Sequence, residues 1–481
     1  MIPPLVALFS WPVISAIIFQ RWSISVAVIA TVTLAFLFLP TGTSINLPLL
    51  PALNKASVAA LSALALSALF ISREPKGDVL AGFLIKSAWA KVFLVVLFFG
   101  SLLTVVTNSE PLYYGRLVLP GLRLYDGLSV ILILSMTILP LFLGRKYLAH
   151  TKHHRLILVG LCYFGLAYSL LALFEIRMSP QLNAKIYGFF PHSWIQHVRG
   201  DGFRPIVFLR HGLILALFFC LCILACFGLA RIDKQRRGFF LFAGVWLLGT
   251  LVLSKSLGAV LIVFVLIPVV LFLSAKKQTL VAATVCALLF AYPIIRSSNL
   301  LPIDSALDKV ASFSPDRAQS FQTRLRNEDL FLNRLAQKPI FGWGGWGRSR
   351  TFDERGRDIT TADGHWIIIL GTGGWTRYVS ELGLFLMPVV LIYYRRRNDV
   401  PLETSVLTVI VAANAVDLIP NTSITPVSLL IAGALWGNLE LAQKDDLDEK
   451  SEPDDSSEAQ AQNRYTRQTR PKSRMARKAR A

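Results

Sequence analysis

Apolar residues in this chain fall in long unbroken blocks, not in the alternation of strands or the narrow stripes of surface helices. The blocks cover about 2–20, 22–39, 57–72, 90–107, 127–144, 155–175, 206–230, 238–254, 257–274, 279–294, 379–394, 403–419 and 424–439. Most approach the ~20 residues that cross a bilayer as helix. Lipid offers no water to peptide groups, so such blocks must pair their own N–H and C=O groups as helices. The pattern predicts an all-α, polytopic membrane protein with about 12–14 transmembrane helices. The short stretch His365–Leu370 is too brief to span and reads as re-entrant or interfacial.

The blocks are interrupted unequally. Connections at 40–56, 108–126 and 176–205 are moderate, whereas 295–378 is long, charged and predicted to be structured. Loops beyond about 15 residues are usually functional. Residues 440–481 are acid-rich and then basic, with almost no apolar residues, and predict a disordered cytoplasmic tail after a membrane domain at 1–439. The first block lacks a basic leader and carries Pro3, Pro4 and Pro12, so it reads as a first membrane helix turning at Arg21 into a second.

Composition agrees with this class. Hydrophobic residues make up 54% and charged residues 16%, against about 25% charged in soluble domains. A secreted enzyme, a β-barrel and a cytosolic nucleotide enzyme are therefore excluded. The formal charge of +20 raises nucleic acid as a partner, but the cations sit in short loops between apolar blocks. Examples are Arg145, Lys146, Lys152 and Arg155; Arg231, Lys234, Arg236 and Arg237; Lys276 and Lys277; and Arg395–Arg397. Such clusters mark cytoplasmic loops, and no basic soluble domain exists to hold nucleic acid. Alternation then places the four longer connections on the outer side. All five cysteines lie inside apolar blocks, which argues against disulfides and for small packed residues.

Candidate chemistry concentrates outside. Ser314-Pro315-Asp316 opens a helix of about 20 residues, with Phe321, Leu325, Leu332 and Leu335 on one side and Arg317, Arg324, Arg326 and Arg334 on others. Pro339 ends it, and Gly342-Trp343-Gly344-Gly345-Trp346-Gly347 follows. Trp343 and Trp346 suit a membrane interface or a sugar face. Then come Asp363-Gly364-His365-Trp366 and Gly371-Thr372-Gly373-Gly374. His365 is a candidate base, with an interfacial anchor as the alternative. Arg204 and Arg210 fall where an outer loop enters the block at 206–230; Arg210, about one turn in, favours a phosphate partner over snorkelling. Lys255 interrupts two blocks, and phosphate contact and snorkelling are equally open for it. No Asp/His cluster with ligand spacing occurs in the outer loops, so no metal or cofactor is expected.

The order of these pieces resembles the O-antigen ligase and polysaccharide polymerase superfamily of bacterial inner-membrane proteins. The resemblance rests on Arg324 or Arg326, then Pro339-Ile340-Phe341-Gly342-Trp343-Gly344, then His365 followed by Glu381-Leu382-Gly383. Upstream, Gly202-Phe203-Arg204-Pro205 with His211-Gly212 is similar to the family's preceding outer loop, and Ser254–Ala259 to its Ser-Arg-Gly-Ala turn, with Leu257 in place of the arginine. The match covers roughly 160–395. It implies transfer of a glycan from undecaprenyl diphosphate to an acceptor hydroxyl at the periplasmic face, with membrane lipid and other polysaccharide assembly proteins as partners. Arginines would hold the diphosphate without a metal, with Arg204, Arg210, Arg324, Arg326, Arg334 and Lys255 as candidates, and His365 would be the base. Arg177 with Gly188 and Arg334 with Gly345 match the spacing of two outer-loop motifs in the polymerases, which slightly favours polymerase over ligase. A transporter or flippase is the rival reading; it requires ionisable groups at mid-depth, where Asp417 is the clearest.

Overall fold

The computed structural model describes residues 1–46, 52–75, 77–199, 202–298, 308, 311–312, 315–396, 399–422 and 424–451. Every apolar block lies on a helix. In chain order these are α1 (Pro4–Arg21), α2 (Ile24–Phe38), α3 (Lys55–Phe70), α4 (Ala88–Val106), α5 (Leu124–Tyr147) and α6 (Thr151–Met178). A short α7 (Leu182–Tyr187) follows, then α8 (Gly212–Ile232), α9 (Arg237–Leu253), α10 (Leu257–Phe272) and α11 (Ala275–Ser297). After the charged α12 (Pro315–Ala336) come α13 (His365–Arg395), α14 (Leu402–Asp417) and α15 (Pro426–Ser451).

Among the described residues, eight helices are long and apolar enough to cross a membrane: α1, α3, α4, α5, α6, α8, α11 and α13. Helices α2, α9 and α10 are apolar but shorter. A 15-residue helix reaches about 22 Å, short of the ~30 Å hydrocarbon core. The molecule is an all-α, multi-pass membrane protein.

Helix α8 is the centre of the bundle. It packs against α6, α9, α10 and α14, and Leu215 to Ala230 are buried without a break. A helix apolar all round belongs in such an interior. Its Cys220, Cys222 and Cys226, with Cys162 on α6 and Cys286 on α11, are all free and buried. Small residues let backbones approach elsewhere too: a Cβ at Gly437 of α15 would lie 2.7 Å from Ala149 Cβ.

Among the described residues, three two-stranded antiparallel pairings decorate the connections. They pair Ser44–Ile45 with Leu53–Asn54, Leu112–Tyr114 with Leu117–Leu119, and Val198–Arg199 with Gly202–Phe203. The Glu175 carboxylate at the end of α6 accepts the N–H groups of Leu182, Ile206 and Val207 at 2.9, 2.8 and 2.7 Å. One buried anion thus ties down both ends of the connection before α8.

One expectation changes. Residues 206–211 are not the first turn of a helix, because α8 starts at Gly212. Arg210 is accordingly an exposed loop residue, and the cost of a cation inside a helix in lipid does not arise. Among the described residues, the long connection folds with 108–126: Asn108 donates to Gly342 O at 2.9 Å and Arg348 to Pro120 O at 2.7 Å and Glu110 O at 2.9 Å. The 176–205 connection lies against the N-terminal helices, with Ile2 N–H on Ile186 O at 2.7 Å and the Tyr187 hydroxyl on Phe38 O at 2.7 Å. The chain divides into units 1–439 and 440–481, and the helix that begins at Pro426 runs to Ser451. Ser314, Arg397 and the tail beyond 451 lie outside the described residues.

Candidate functional site

Helix α13 is broken. Gly374 has φ 63° and ψ −162°, which separates a half-helix beginning at His365 from the spanning helix that follows. Breaking a helix leaves carbonyls at the end of the first half and N–H groups at the start of the second. The segment Pro339–Gly344 supplies the missing partners. Trp343 N–H donates to Gly371 O at 2.9 Å and Gly344 N–H to Thr372 O at 2.8 Å. Trp375 and Thr376 N–H donate to Pro339 O at 2.9 Å and Ile340 O at 3.1 Å. Buried peptide groups freed by such a break need partners of this kind. Gly342 has φ 65°, and a Cβ there would lie 2.5 Å from Gly374 N. The Pro-x-x-Gly-x-Gly motif is therefore the plug of the broken helix.

The break folds the two halves together, so that residues sixteen positions apart meet. His365 Nε2 lies 2.9 Å from Glu381 Oε1. The other carboxylate oxygen accepts from Arg377 Nε at 2.9 Å, and Arg377 Nη1 donates to Thr372 Oγ1 at 3.1 Å. The His365 N–H is fixed by Leu418 O and Asn421 O, both at 3.0 Å. A carboxylate accepts only, so the shared proton sits on Nε2 and the Nδ1 lone pair is left over. Nδ1 is buried and has no hydrogen-bond partner. An imidazole oriented by a carboxylate, with its second nitrogen uncommitted, can take a proton from a hydroxyl.

Arg377 also lines a pocket of about 340 Å³, together with Thr372, Gly344, Trp346, Tyr125 and Asp126. Trp346 is 71% exposed and donates to Asp126 Oδ1 at 3.2 Å. Helices α4 and α5, which line this pocket, also line a larger, nearly all-apolar groove of about 640 Å³. Leu94, Phe98 and Leu102 line the groove from α4, and Ile131, Ile138 and Phe142 from α5. An apolar groove and a pocket that a cation reaches thus lie along one pair of helices.

Residues 242–375 match the family described as O-antigen ligase. The chain carries a domain of the O-antigen ligase and polymerase superfamily. No curated protein is significantly similar to the chain. The matched segment of this O-antigen ligase domain runs from α9 through α12 and the glycine plug, ending one residue past the break at Gly374. Arg377 and Glu381 follow immediately after it.

The structure sorts the arginines expected in the O-antigen ligase domain. Arg334 is committed: its guanidinium stacks 3.4 Å over the Trp343 ring and donates to the Tyr114 hydroxyl at 2.5 Å and to Arg348 O at 3.3 Å. Burial, with Arg348 nearby, lowers its pKa, against the pull of Tyr114. Trp343 is buried and donates to Arg334 O at 2.9 Å. The Arg334–Trp343 pair is architecture, as is Arg348, which is fully buried among carbonyl groups. Arg324 stays half-exposed, 3.8 Å from Asp363, and the two share a small cleft with Gly364 beside His365. Arg326 is exposed on another face of α12. Upstream of the matched domain, Arg204 is buried and donates to the carbonyl of Lys255 at 3.1 Å. Lys255 turns at φ 55° with its side chain exposed beside Gly202. Helix α12 is fastened by Arg296, which donates to Glu328 at 3.0 Å and Asp329 at 2.6 Å. Burial raises the Glu328 carboxyl, which Arg296 opposes.

Arg377 was not singled out from the sequence, and Glu381 entered there only within the Glu381-Leu382-Gly383 motif, without a role. Arg377 and Glu381 stand four apart on one helix face, the spacing of a helical ion pair; that was the available signal. A cluster was missed as well. Ligand spacing is absent among sequence neighbours, yet His192, His197 and His211 each bring a nitrogen within 4.8 Å of the others.

Proposed function

We propose that this protein transfers a glycan from an undecaprenyl-diphosphate donor to an acceptor hydroxyl, at the periplasmic face of the bacterial inner membrane. The observation that carries the reading is the α4–α5 seam, along which lie an apolar groove and a pocket lined by Arg377, Thr372 and Asp126. A lipid diphosphate has that same distribution of properties. The polyprenyl chain would lie in the groove. Arg377, with Arg324 close to His365, would face the diphosphate, because a guanidinium pairs with phosphate oxygens bidentately. Trp346 would offer its face to a sugar ring.

In the transfer, the acceptor O–H proton passes to His365 Nδ1 as the acceptor oxygen bonds to the anomeric carbon. The bond from that carbon to the phosphate oxygen breaks, and the diphosphate leaves with the electron pair. Glu381 holds the imidazole by Nε2–H and stabilises the imidazolium. Arg204, Arg210, Arg326 and Lys255 are assigned to the donor at longer range, while Arg334 and Trp343 act only by shaping the plug.

The glycans of a deletion strain test the assignment. Accumulation of lipid-linked glycan supports it: single repeat units mean a polymerase, and intact chains not passed to their acceptor mean a ligase. Unchanged surface and lipid-linked glycans in the deletion strain would contradict it.

A further inference from the structure

His192, His197 and His211 come from separate pieces of the connection before α8. His192 lies in the loop after α7, His197 ends a short 3-10 turn at Trp194–His197, and His211 caps α8. Their ring centroids are 4.9 Å (192–211), 5.1 Å (197–211) and 5.6 Å (192–197) apart. His197 is fully buried and the other two are half-buried. His192 Nδ1 is buried without a hydrogen-bond partner. Three imidazoles thus each bring a nitrogen within 4.8 Å of the others, where any apolar side chain would have filled the space without a polar cost.

We propose that these three histidines bind one divalent transition-metal ion of the zinc class, with a fourth position open to water. Imidazole nitrogen is a ligand for this class, and three-histidine sets occur among its open sites. Ligation at about 2.0–2.1 Å puts the nitrogens of a tetrahedral site roughly 3.3 Å apart. From the present 4.8 Å limit, the rings need to close by about 1.5 Å. His192 sits on a loop, which allows that movement.

Binding has a stated cost. His211 Nδ1 accepts the Leu213 N–H at 3.1 Å, and an imidazole accepting there carries its proton on Nε2. Ligation through either nitrogen gives up this cap, so metal and helix start compete for His211. The ion would act as a staple. His197 O accepts the Arg204 N–H at 2.8 Å, and the Arg204 guanidinium reaches Lys255 O at 3.1 Å. Fixing His197 against the start of α8 therefore fixes the segment that presents Arg204. The site stands whether or not the glycan-transfer reading holds.

The test uses tag-free, full-length protein in detergent, stripped with a chelator and then titrated with zinc against a chromophoric competitor. One zinc per chain is expected, with affinity falling at least ~10-fold in His192→Ala and in His197→Ala. His192→Gln, at a half-buried loop position, guards against misfolding and should lose affinity equally. Cobalt(II) in place of zinc should give the visible absorption of a four-coordinate ion in the wild type and not in His192→Gln. A stripped wild-type protein that takes up no zinc would overturn the proposal. So would unchanged zinc affinity in the histidine variants, which would place the ion elsewhere.

Discussion

At the scale of single residues, the proposal turns on which nitrogen of His365 is occupied. Glu381 takes Nε2 at 2.9 Å and leaves Nδ1. His365→Ala should keep donor binding and lose ~10²–10⁴ in turnover, the range of a positioned general base. Glu381→Gln keeps a hydrogen-bonding partner but not the charge; turnover should fall by a similar ~10²–10⁴. Arg377→Lys keeps the charge and loses the fork, so its defect should instead be weaker donor binding. Equilibrium binding of a lipid diphosphate beside single-turnover rates separates the Arg377 defect from the other two. A residue's type was legible in the sequence far better than its commitment. His365 stood out by its residue type and by the resemblance that points to it. Arg334 looked the same as Arg324, yet Arg334 is spent on Trp343 and Tyr114, and only packing distinguishes them.

At the scale of elements, the broken helix α13 is what brings His365 to Glu381. Gly342→Ala adds a Cβ 2.5 Å from Gly374 N at a positive φ. It should destabilise the protein by about 1–3 kcal/mol and lower turnover by moving His365 away from Glu381. A thermal melt read beside transfer activity checks this; wild-type values in both would remove the plug from the account. Arg348→Lys should also loosen this region. A lysine cannot reach Trp343 O, Pro120 O and Glu110 O together, as the guanidinium does, and the 338–358 segment should then become easier to cleave by protease. The sequence showed where helices run, since thirteen apolar blocks fall on helices. It did not show that residues 365–395 form one interrupted element, because glycines announce freedom without saying which way the chain turns. Arg210 is the converse case: an apolar run at 206–209 mimicked helix where Glu175 instead holds a turn, with Val207 at φ 54°.

At the scale of the whole molecule, hydropathy fixes class, and the basic loops supply an orientation that labelling can examine. A cysteine at Gly345, exposed with open space around it, should react with an impermeant thiol reagent from the periplasmic side. One at Gln235, exposed beyond α8, should not, and labelling there from outside would invert the topology. Ser349 is unsuited to this experiment because it packs 3.1 Å from the Cβ position of Gly371. Lateral neighbours were beyond the reach of a linear reading. Nothing in the sequence said that the long connection would rest on 108–126, or that α4 and α5 would part into a groove, since both depend on helix order around the bundle.

The most direct test of the central claim is glycan transfer in proteoliposomes containing only the purified protein, an undecaprenyl-diphosphate-linked glycan and an acceptor. The account predicts that wild-type protein forms the transferred product and releases undecaprenyl diphosphate in equal amounts, and that His365→Ala binds the donor but forms product ~10²–10⁴ times more slowly. A folded, membrane-inserted His365→Ala protein that transfers at the wild-type rate would contradict it.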